Sequence, residues 1–242
     1  MGSHWKFGAH QDWMLVEGNS LMASRPSSIP SEAAAVISIV VRTAADALLN
    51  IMEIPFKSLN YAGTPSNSVN PIVTTASARN HQALKELGAH HVFDYSDKNV
   101  VSDIQGALEA AEGPLRYVFD AVCSSGELSS TQRCDALRTS PDALFVGTLP
   151  VQSTQRKWGW CLATRARDMP LPEPIGFVPA NPVWERRLLE VMSWAAENYE
   201  RGFRIPKVTV VEEEAKAIES IQASGEGKIR FEKIALKHPL RA

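Results

Sequence analysis

The sequence predicts an α/β protein with a parallel, doubly wound sheet. Between residues 72 and 149, short β-branched segments alternate with segments of helical periodicity, and glycine or polar residues separate them. Four strands are expected, at 72–77, 91–95, 116–122 and 143–148. Parallel strands joined by helices form a sheet that carries helices on both faces.

Helix signals support this alternation. Asn80 can cap a helix over 81–88, and Gly88 stands where a helix end requires positive φ. A single apolar helix face follows, formed by Val100, Val101, Ile104 and Leu108. Another helix is expected within ELSSTQRCDALR, before the fourth strand.

The segments before residue 72 are less regular. Residues 11–22 predict a strand and a turn, and Ser31 can cap a following helix. Two assignments stay open for 32–52: its alanines favour a helix, whereas the β-branched run VISIVV (36–41) could form a short buried strand. Residues 57–71 predict a polar loop that is unusually long for the middle of a compact domain.

After residue 149 the pattern changes twice. Residues 149–182 are rich in proline and tryptophan and predict irregular structure. A helix is expected at 183–201 and strands at 207–211 and 229–236. Between these strands, EEEAKAIESIQAS predicts a helix whose three glutamates suit its positive N-terminal end.

Composition narrows the class of protein. The 242 residues are 44% hydrophobic with a net charge of −2, which gives no argument for nucleic acid or an anionic membrane surface. Three cysteines without a C-x-x-C pair favour a reducing compartment. We see no signal peptide, and the longest apolar run, Ala33 to Val41, is too short to span a bilayer. A cytoplasmic protein without a membrane partner is expected.

Candidate binding residues follow the first two predicted strands. Ser77 and Arg79 end the first strand without an acidic neighbour, an arrangement that suits a phosphate. A solvated arginine at a helix start explains Arg79 equally well. Tyr95 ends the second strand, where ligands bind in open α/β sheets, or it simply covers the sheet edge.

These segments carry a family resemblance. VTTASARNHQALKELGAHHVFDYSD resembles the medium-chain dehydrogenase/reductase superfamily after its second nucleotide-domain strand. It is most similar to the zinc-independent, enoyl-reductase-like branch of fungal secondary metabolism, with its Ser-x-x-Asn, Leu-Gly-Ala and Phe-Asp-Tyr motifs. RYVFDAV, ALFVGTLP and GKIRFEKIAL match in the same order, and GAHQDWMLVEGNSLMASRPSSIPSEAAA and RTAADALLNI match upstream.

The resemblance implies a truncated protein with an incomplete doubly wound, Rossmann-like sheet and a remnant of a GroES-like substrate domain. Residues 1–30 would be that remnant, 31–205 the nucleotide-binding domain, and 206–242 a return to the substrate domain.

The resemblance also implies a cofactor site for NADPH. The residues assigned to the adenosine 2′-phosphate are Ser77, Ala78, Arg79 and Asn80. Tyr95 would contact the adenine-ribose side, and Thr148 and Leu149 would lie near the nicotinamide, with Thr43 a weaker candidate. No residue of this chain is assigned as catalytic acid.

Two departures from the family pattern bear on function. The family's glycine-rich strand-turn-helix would precede residue 72, where 57–71 stands instead, and the only G-x-G, Gly225 to Gly227, has Arg230 in place of a third glycine. The front of the substrate domain is also missing. No metal is predicted, since His90 and His91 are adjacent on a strand and point to opposite faces.

The sequence therefore supports three hypotheses. The first is an NADPH-dependent oxidoreductase, a trans-acting enoyl reductase that reduces a small or carrier-bound enoyl substrate beside a polyketide synthase. The second is a catalytically inactive homologue or interaction protein that no longer binds the dinucleotide. The third is a gene sequence from which an exon encoding the glycine loop is omitted. The sequence offers too few candidate zinc ligands for a zinc alcohol dehydrogenase, so that class is disfavoured.

Overall fold

The computed structural model describes residues 25–56, 71–111, 114–126, 129–171, 175–229 and 231–241. The chain forms two compact units: Arg42–Leu188 is one, and Met1–Val41 with Leu189–Ala242 is the other. The predicted strand at 11–22 and the loop at 57–71, except for Pro71, lie outside the described residues, as does most of the proposed substrate-domain remnant.

The described part of the chain begins with a long helix. It comprises α1 (Ser31–Ala45) and a π-helical segment, Asp46–Ile51. In the larger unit follow β1 (Val73–Thr75), a 3₁₀ turn (Ala78–Asn80), α2 (His81–Glu86), β2 (His91–Phe93), α3 (Val100–Ala110), β3 (Tyr117–Asp120), α4 (Ser130–Asp135), β4 (Leu144–Gly147), β5 (Trp158–Trp160), β6 (Met169–Pro170) and β7 (Phe177–Val178).

The parallel strands of the larger unit lie in two separate sheets. One contains β1 and β2, and the other has the order β3-β4-β5. In a doubly wound fold, the strand that carries the glycine loop lies between the second and fourth strands. Among the described residues no strand joins β1 to β3, so the sheet is divided at that place. The predicted α/β, partly Rossmann-like fold is confirmed.

Each sheet has its own apolar core. The face of α3 buries Val100, Ile104 and Leu108 against Val73 of β1 and Phe93 of β2. The residues packed around β4 are Ala47, Ile51, Met52, Ile54, Tyr117, Val146 and Cys161. The end of the long helix therefore covers the three-stranded sheet.

The possibility that VISIVV forms a short buried strand is wrong, because residues 36–41 belong to α1. Ala33, Ile37 and Val41 are buried at a spacing of one helical turn, whereas Ile39 between them is 58% exposed. A buried central strand would enclose both of its faces. Ser31 is the first residue of α1, and Asn80 precedes α2 without a capping bond from its side chain.

The expectation of irregular structure over 149–182 is also wrong in part. Three short strands lie there, and β5 extends the sheet with Phe145 beside Trp158 in register. These two rings meet edge to face at 5.3 Å between centroids. Three residues containing Gly159 are too few to show strand alternation in a sequence.

The second unit ends with three elements. The helix α5 (Pro182–Glu197) enters it, followed by β8 (Val208–Glu213), α6 (Glu214–Gly225) and β9 (Lys233–Arg241). β8 and β9 are parallel, as expected of strands joined by a helix. Of the three glutamates assigned to the helix start, only Glu214 lies in α6. Glu212 belongs to β8 and pairs with Lys237 and Arg241.

The long helix is also long and apolar enough to be compared with a membrane-spanning helix, which the sequence alone did not suggest. Ser31–Ile51 is a 21-residue helix with a mean hydropathy of 1.6, long and apolar enough by composition to cross a membrane. Apolar core helices meet the same criterion. This one buries Arg42 and Asp46, and both side chains are ion-paired within the protein.

Those ion pairs form a buried network in the larger unit. Arg165 Nη2 lies 2.6 Å from Asp46 Oδ2, and Arg165 stacks over Trp184 at 5.1 Å. Asp46 also accepts from the Leu162 N–H at 2.8 Å. Arg42 pairs with Glu185, which accepts from the Arg165 N–H at 2.6 Å. The network joins the long helix, the segment after β5 and α5.

We expect Asp46→Ala to lower the free energy of unfolding by about 3–5 kcal/mol, because it leaves the Arg165 guanidinium buried without its partner. Replacing both partners with apolar residues should recover much of that loss. Chemical denaturation measures both effects. The matched control is Glu109→Ala, whose exposed pair with Arg138 should contribute less than about 1 kcal/mol. Equal losses of unfolding free energy in the two variants would contradict the stabilising role of the buried Asp46–Arg165 pair.

A second prediction concerns the core of the three-stranded sheet. Met52 is 2% exposed, so Met52→Ala should cost about 2–5 kcal/mol by leaving a cavity. Ile39→Ala on the exposed face of α1 is the comparison and should change stability little. Thermal unfolding of both variants measures the two losses. Equal losses would show a general effect of shortening a side chain rather than the loss of a core contact.

Candidate functional site

The carboxyl ends of β1 and β2 bring two predicted residues together. The strands pair with Thr75 beside Phe93, and the Ala76 N–H donates to the Phe93 carbonyl at 2.9 Å. Ser77 and Tyr95 follow at the same edge. There the Ser77 hydroxyl donates to the Tyr95 phenol oxygen at 3.2 Å. Two hydroxyls that were separated in sequence thus form one polar pair.

The other three residues assigned to the 2′-phosphate form the 3₁₀ turn Ala78–Asn80. The turn closes where the Asn80 N–H donates to the Ser77 carbonyl at 2.9 Å. Arg79 is exposed at this turn, next to the hydroxyl pair in the chain. A guanidinium with two hydroxyls is a donor set suited to a phosphate. Ser77, Ala78, Arg79, Asn80 and Tyr95 are the residues that the resemblance assigns to the adenosine side of a cofactor, and we call this group the adenosine-side pocket.

Asp94 adds a negative charge beside this pocket. Its Oδ1 accepts from the Ser96 N–H at 2.8 Å and from the Ser96 hydroxyl at 2.7 Å. The bonds from Ser96, chiefly that of its side chain, lower the pKa of Asp94 below its usual value. The Phe-Asp-Tyr motif contained this residue, but sequence reasoning gave it no role.

Thr148 and Leu149 lie at the carboxyl end of the other sheet. The Thr148 N–H donates to the Asp120 carbonyl at 3.2 Å, and its hydroxyl donates to the Ala121 carbonyl at 3.2 Å. Leu149 is 54% exposed. The indole of Trp160 donates to the Thr148 carbonyl at 3.2 Å. Thr43, the weaker candidate, is half-buried within α1 and does not lie at a strand end.

Sequence reasoning missed the residues that shape this second edge. The Asp120 carboxylate accepts from the N–H groups of Val122 and Cys123, both at 2.9 Å. Cys123 has a φ of 50°, which is uncommon for a non-glycine residue. A Cβ at Gly147 would lie 2.8 Å from the Cys123 sulfur, so the glycine permits this close turn. The aspartate within RYVFDAV was the available signal.

The thiols near this edge differ in environment. Burial raises the pKa of Cys134 to about 12 and that of Cys161 to about 11, so both remain protonated at neutral pH. The Cys161 thiol donates to the Gly147 carbonyl at 3.2 Å. Within the described residues, no group of three or more His, Cys, Asp or Glu side chains could hold a metal.

The two groups of predicted residues therefore occupy different sheets. Ser77 and Tyr95 belong to the edge of β1 and β2, whereas Thr148 and Leu149 belong to that of β3 and β4. Arg133 of α4 connects the regions by donating to the Tyr95 carbonyl. In a doubly wound fold, the glycine loop would lie between the two edges and bind the pyrophosphate.

Comparison with known proteins gives partial matches. The chain is 32% identical to the trans-enoyl reductase himH of Aspergillus japonicus, over 54% of this chain and 41% of that relative. It is 35% identical to the zinc-binding alcohol dehydrogenase domain-containing protein cipB of Emericella nidulans, over 58% of this chain and 42% of the relative. No protein-family model matches the chain.

A third relative, like the first, is named a trans-enoyl reductase. The trans-enoyl reductase eqxC of Fusarium heterosporum is 25% identical over 52% of this chain and 38% of its own length. The chain thus spans about two fifths of the length of the curated relatives it matches. The chain is therefore similar, over part of its length, to two proteins named trans-enoyl reductases, and its described strands form an α/β, partly Rossmann-like fold.

Proposed function

We propose that this chain is an NADPH-dependent oxidoreductase that reduces an activated carbon–carbon double bond without zinc, as a trans-acting enoyl reductase. The observation that carries the proposal is the Ser77–Tyr95 hydroxyl pair beside the exposed Arg79, at the edge where such folds bind adenosine. Two relatives are named trans-enoyl reductases. The substrate would be a small or carrier-bound enoyl compound, and the partner a polyketide synthase in the cytoplasm.

The donor chemistry fits the adenosine end of the cofactor. Ser77, Arg79 and Tyr95 would hold the 2′-phosphate and ribose, while Thr148 and Leu149 would line the nicotinamide end. NADPH, when bound, supplies the hydride. The residues of this chain would position the nicotinamide and exclude water from it. No proton donor is assigned among the described side chains.

The divided sheet favours a second candidate function. If no glycine loop binds the pyrophosphate, several hydrogen bonds to a charged group are lost, at roughly 1.5–3 kcal/mol each. Each tenfold loss in affinity corresponds to ~1.4 kcal/mol, so a few such bonds could remove micromolar binding. The chain would then be an inactive homologue or an interaction protein that retains the adenosine-side pocket.

The first test is a titration with NADPH and NADH, followed by thermal shift and nicotinamide fluorescence. We expect saturable stabilisation by NADPH and about tenfold weaker binding in Arg79→Ala, because a charged hydrogen bond to the phosphate is lost. Arg138→Ala, which removes another exposed arginine, should bind as the unchanged protein does. Absence of any shift at millimolar NADPH would reject the oxidoreductase proposal for this chain.

A second test separates an active from an inactive homologue. An active enzyme should oxidise NADPH in the presence of an enoyl thioester, which the loss of nicotinamide absorbance measures. Binding of NADPH without turnover of any enoyl thioester would favour the inactive homologue. Sequencing the transcript across codons 57–71 tests the omitted exon, and an unbroken read matching this sequence would reject that explanation.

A further inference from the structure

Trp160 lies beside the turn that carries the two residues assigned to the nicotinamide end. It is half-buried at the end of β5, in register with Gly147, the last residue of β4. Its indole N–H donates to the Thr148 carbonyl at 3.2 Å. The next residue, Cys161, donates its backbone N–H to the Gly147 carbonyl at 3.1 Å. The end of β5 therefore holds the carbonyl groups of the turn at 147–149.

The chain that follows β3 holds the N–H groups of the same turn. The Thr148 N–H donates to the Asp120 carbonyl and the Thr148 hydroxyl to the Ala121 carbonyl, both at 3.2 Å. The Leu149 N–H donates to the Cys123 sulfur at 3.5 Å. None of these bonds involves the Thr148 carbonyl, whose direction is fixed by the indole. The turn is thus held from two sides, by different groups on each.

A turn held in this way is ordered before a ligand arrives. A loop that already has its bound geometry loses less conformational entropy on binding, so its affinity is higher. Leu149, at the end of the turn, is 54% exposed and is available to a ligand at this edge. Trp160 therefore acts on Thr148 and Leu149 through the backbone, without being assigned a ligand contact of its own.

We propose that Trp160 is a positioning residue for the nicotinamide end of the cofactor, whose indole N–H holds the Thr148 carbonyl and with it the turn at 147–149. The proposal rests on the proposed binding of a nicotinamide dinucleotide and adds a residue to that site. It predicts that loss of the indole N–H weakens binding of the nicotinamide. Binding of the adenosine part should not change, because its assigned residues lie at the edge of β1 and β2.

Trp160→Phe removes the N–H donor and keeps an aromatic ring in β5. Trp160→Met, which also lacks a donor and adapts to irregular space, is the second variant in case the first fails to fold. The matched control is Trp158→Phe in the same strand. The Trp158 indole N–H donates to the Asp135 carboxylate at 3.0 Å rather than to the turn. Test and control variants each lose one indole N–H from β5, so their comparison isolates the bond to Thr148.

The experiment measures the affinity of two ligands by calorimetry on the full chain. NADPH contains the nicotinamide, whereas 2′-phospho-ADP-ribose lacks it. In Trp160→Phe we expect NADPH to bind about three- to tenfold more weakly, because one neutral hydrogen bond is lost. The affinity for 2′-phospho-ADP-ribose should change less than about twofold, since its assigned residues share no partner with Trp160. Trp158→Phe should change the affinity for either ligand less than about twofold.

The outcomes separate this proposal from the function it rests on. If both ligands bind but neither Trp160 variant weakens NADPH, the role of Trp160 is overturned while dinucleotide binding stands. An equal loss for the two ligands, or an equal loss of NADPH affinity in Trp158→Phe, would also overturn it, because a general effect on the fold would then explain the result. If neither ligand binds the unchanged protein, the proposed function fails together with the inference.

Discussion

The buried ion pair between Asp46 and Arg165 is the contact on which the larger unit depends. Asp46 is fully buried on the long helix, and its carboxylate meets both the Arg165 guanidinium and the Leu162 N–H. A buried charge without its partner costs several kcal/mol, so the helix and the segment after β5 are constrained together. That constraint holds the helix end over Val146 and covers one face of the three-stranded sheet.

Among the described residues the parallel strands lie in two sheets, and this arrangement determines what the site can do. Each part is internally paired and has its own core, so each keeps the carboxyl-end geometry that dinucleotide folds use. Ser77 and Tyr95 meet at one edge, and Thr148 lies at the other. If the proposed cofactor binds, the two edges would hold its two ends, whereas no described strand carries a glycine loop for its pyrophosphate. Binding and catalysis are therefore separable questions for this chain.

Residues close in the chain were the most predictable. Gly88 has a φ of 104° at the end of α2, as its place in the sequence indicated, and the apolar face of α3 is buried as its spacing predicted. Local conformation and amphipathic periodicity determine both features. The local sequence did not determine the conformation of VISIVV, because β-branched residues can adopt a helix when one face of that helix is buried. The short strand β5 was missed since only pairing with β4 defines it.

By itself, the sequence determined the alternation of strands and helices, the motif family and the proximity of Ser77 to a strand end, because these follow from short-range spacing. Only the tertiary structure decided that the Ser77 hydroxyl meets the Tyr95 phenol and that Cys123 packs against Gly147. It alone paired the Asp46 and Arg165 charges. Such contacts join residues on different elements, and their geometry depends on strand register and packing rather than on neighbouring residues.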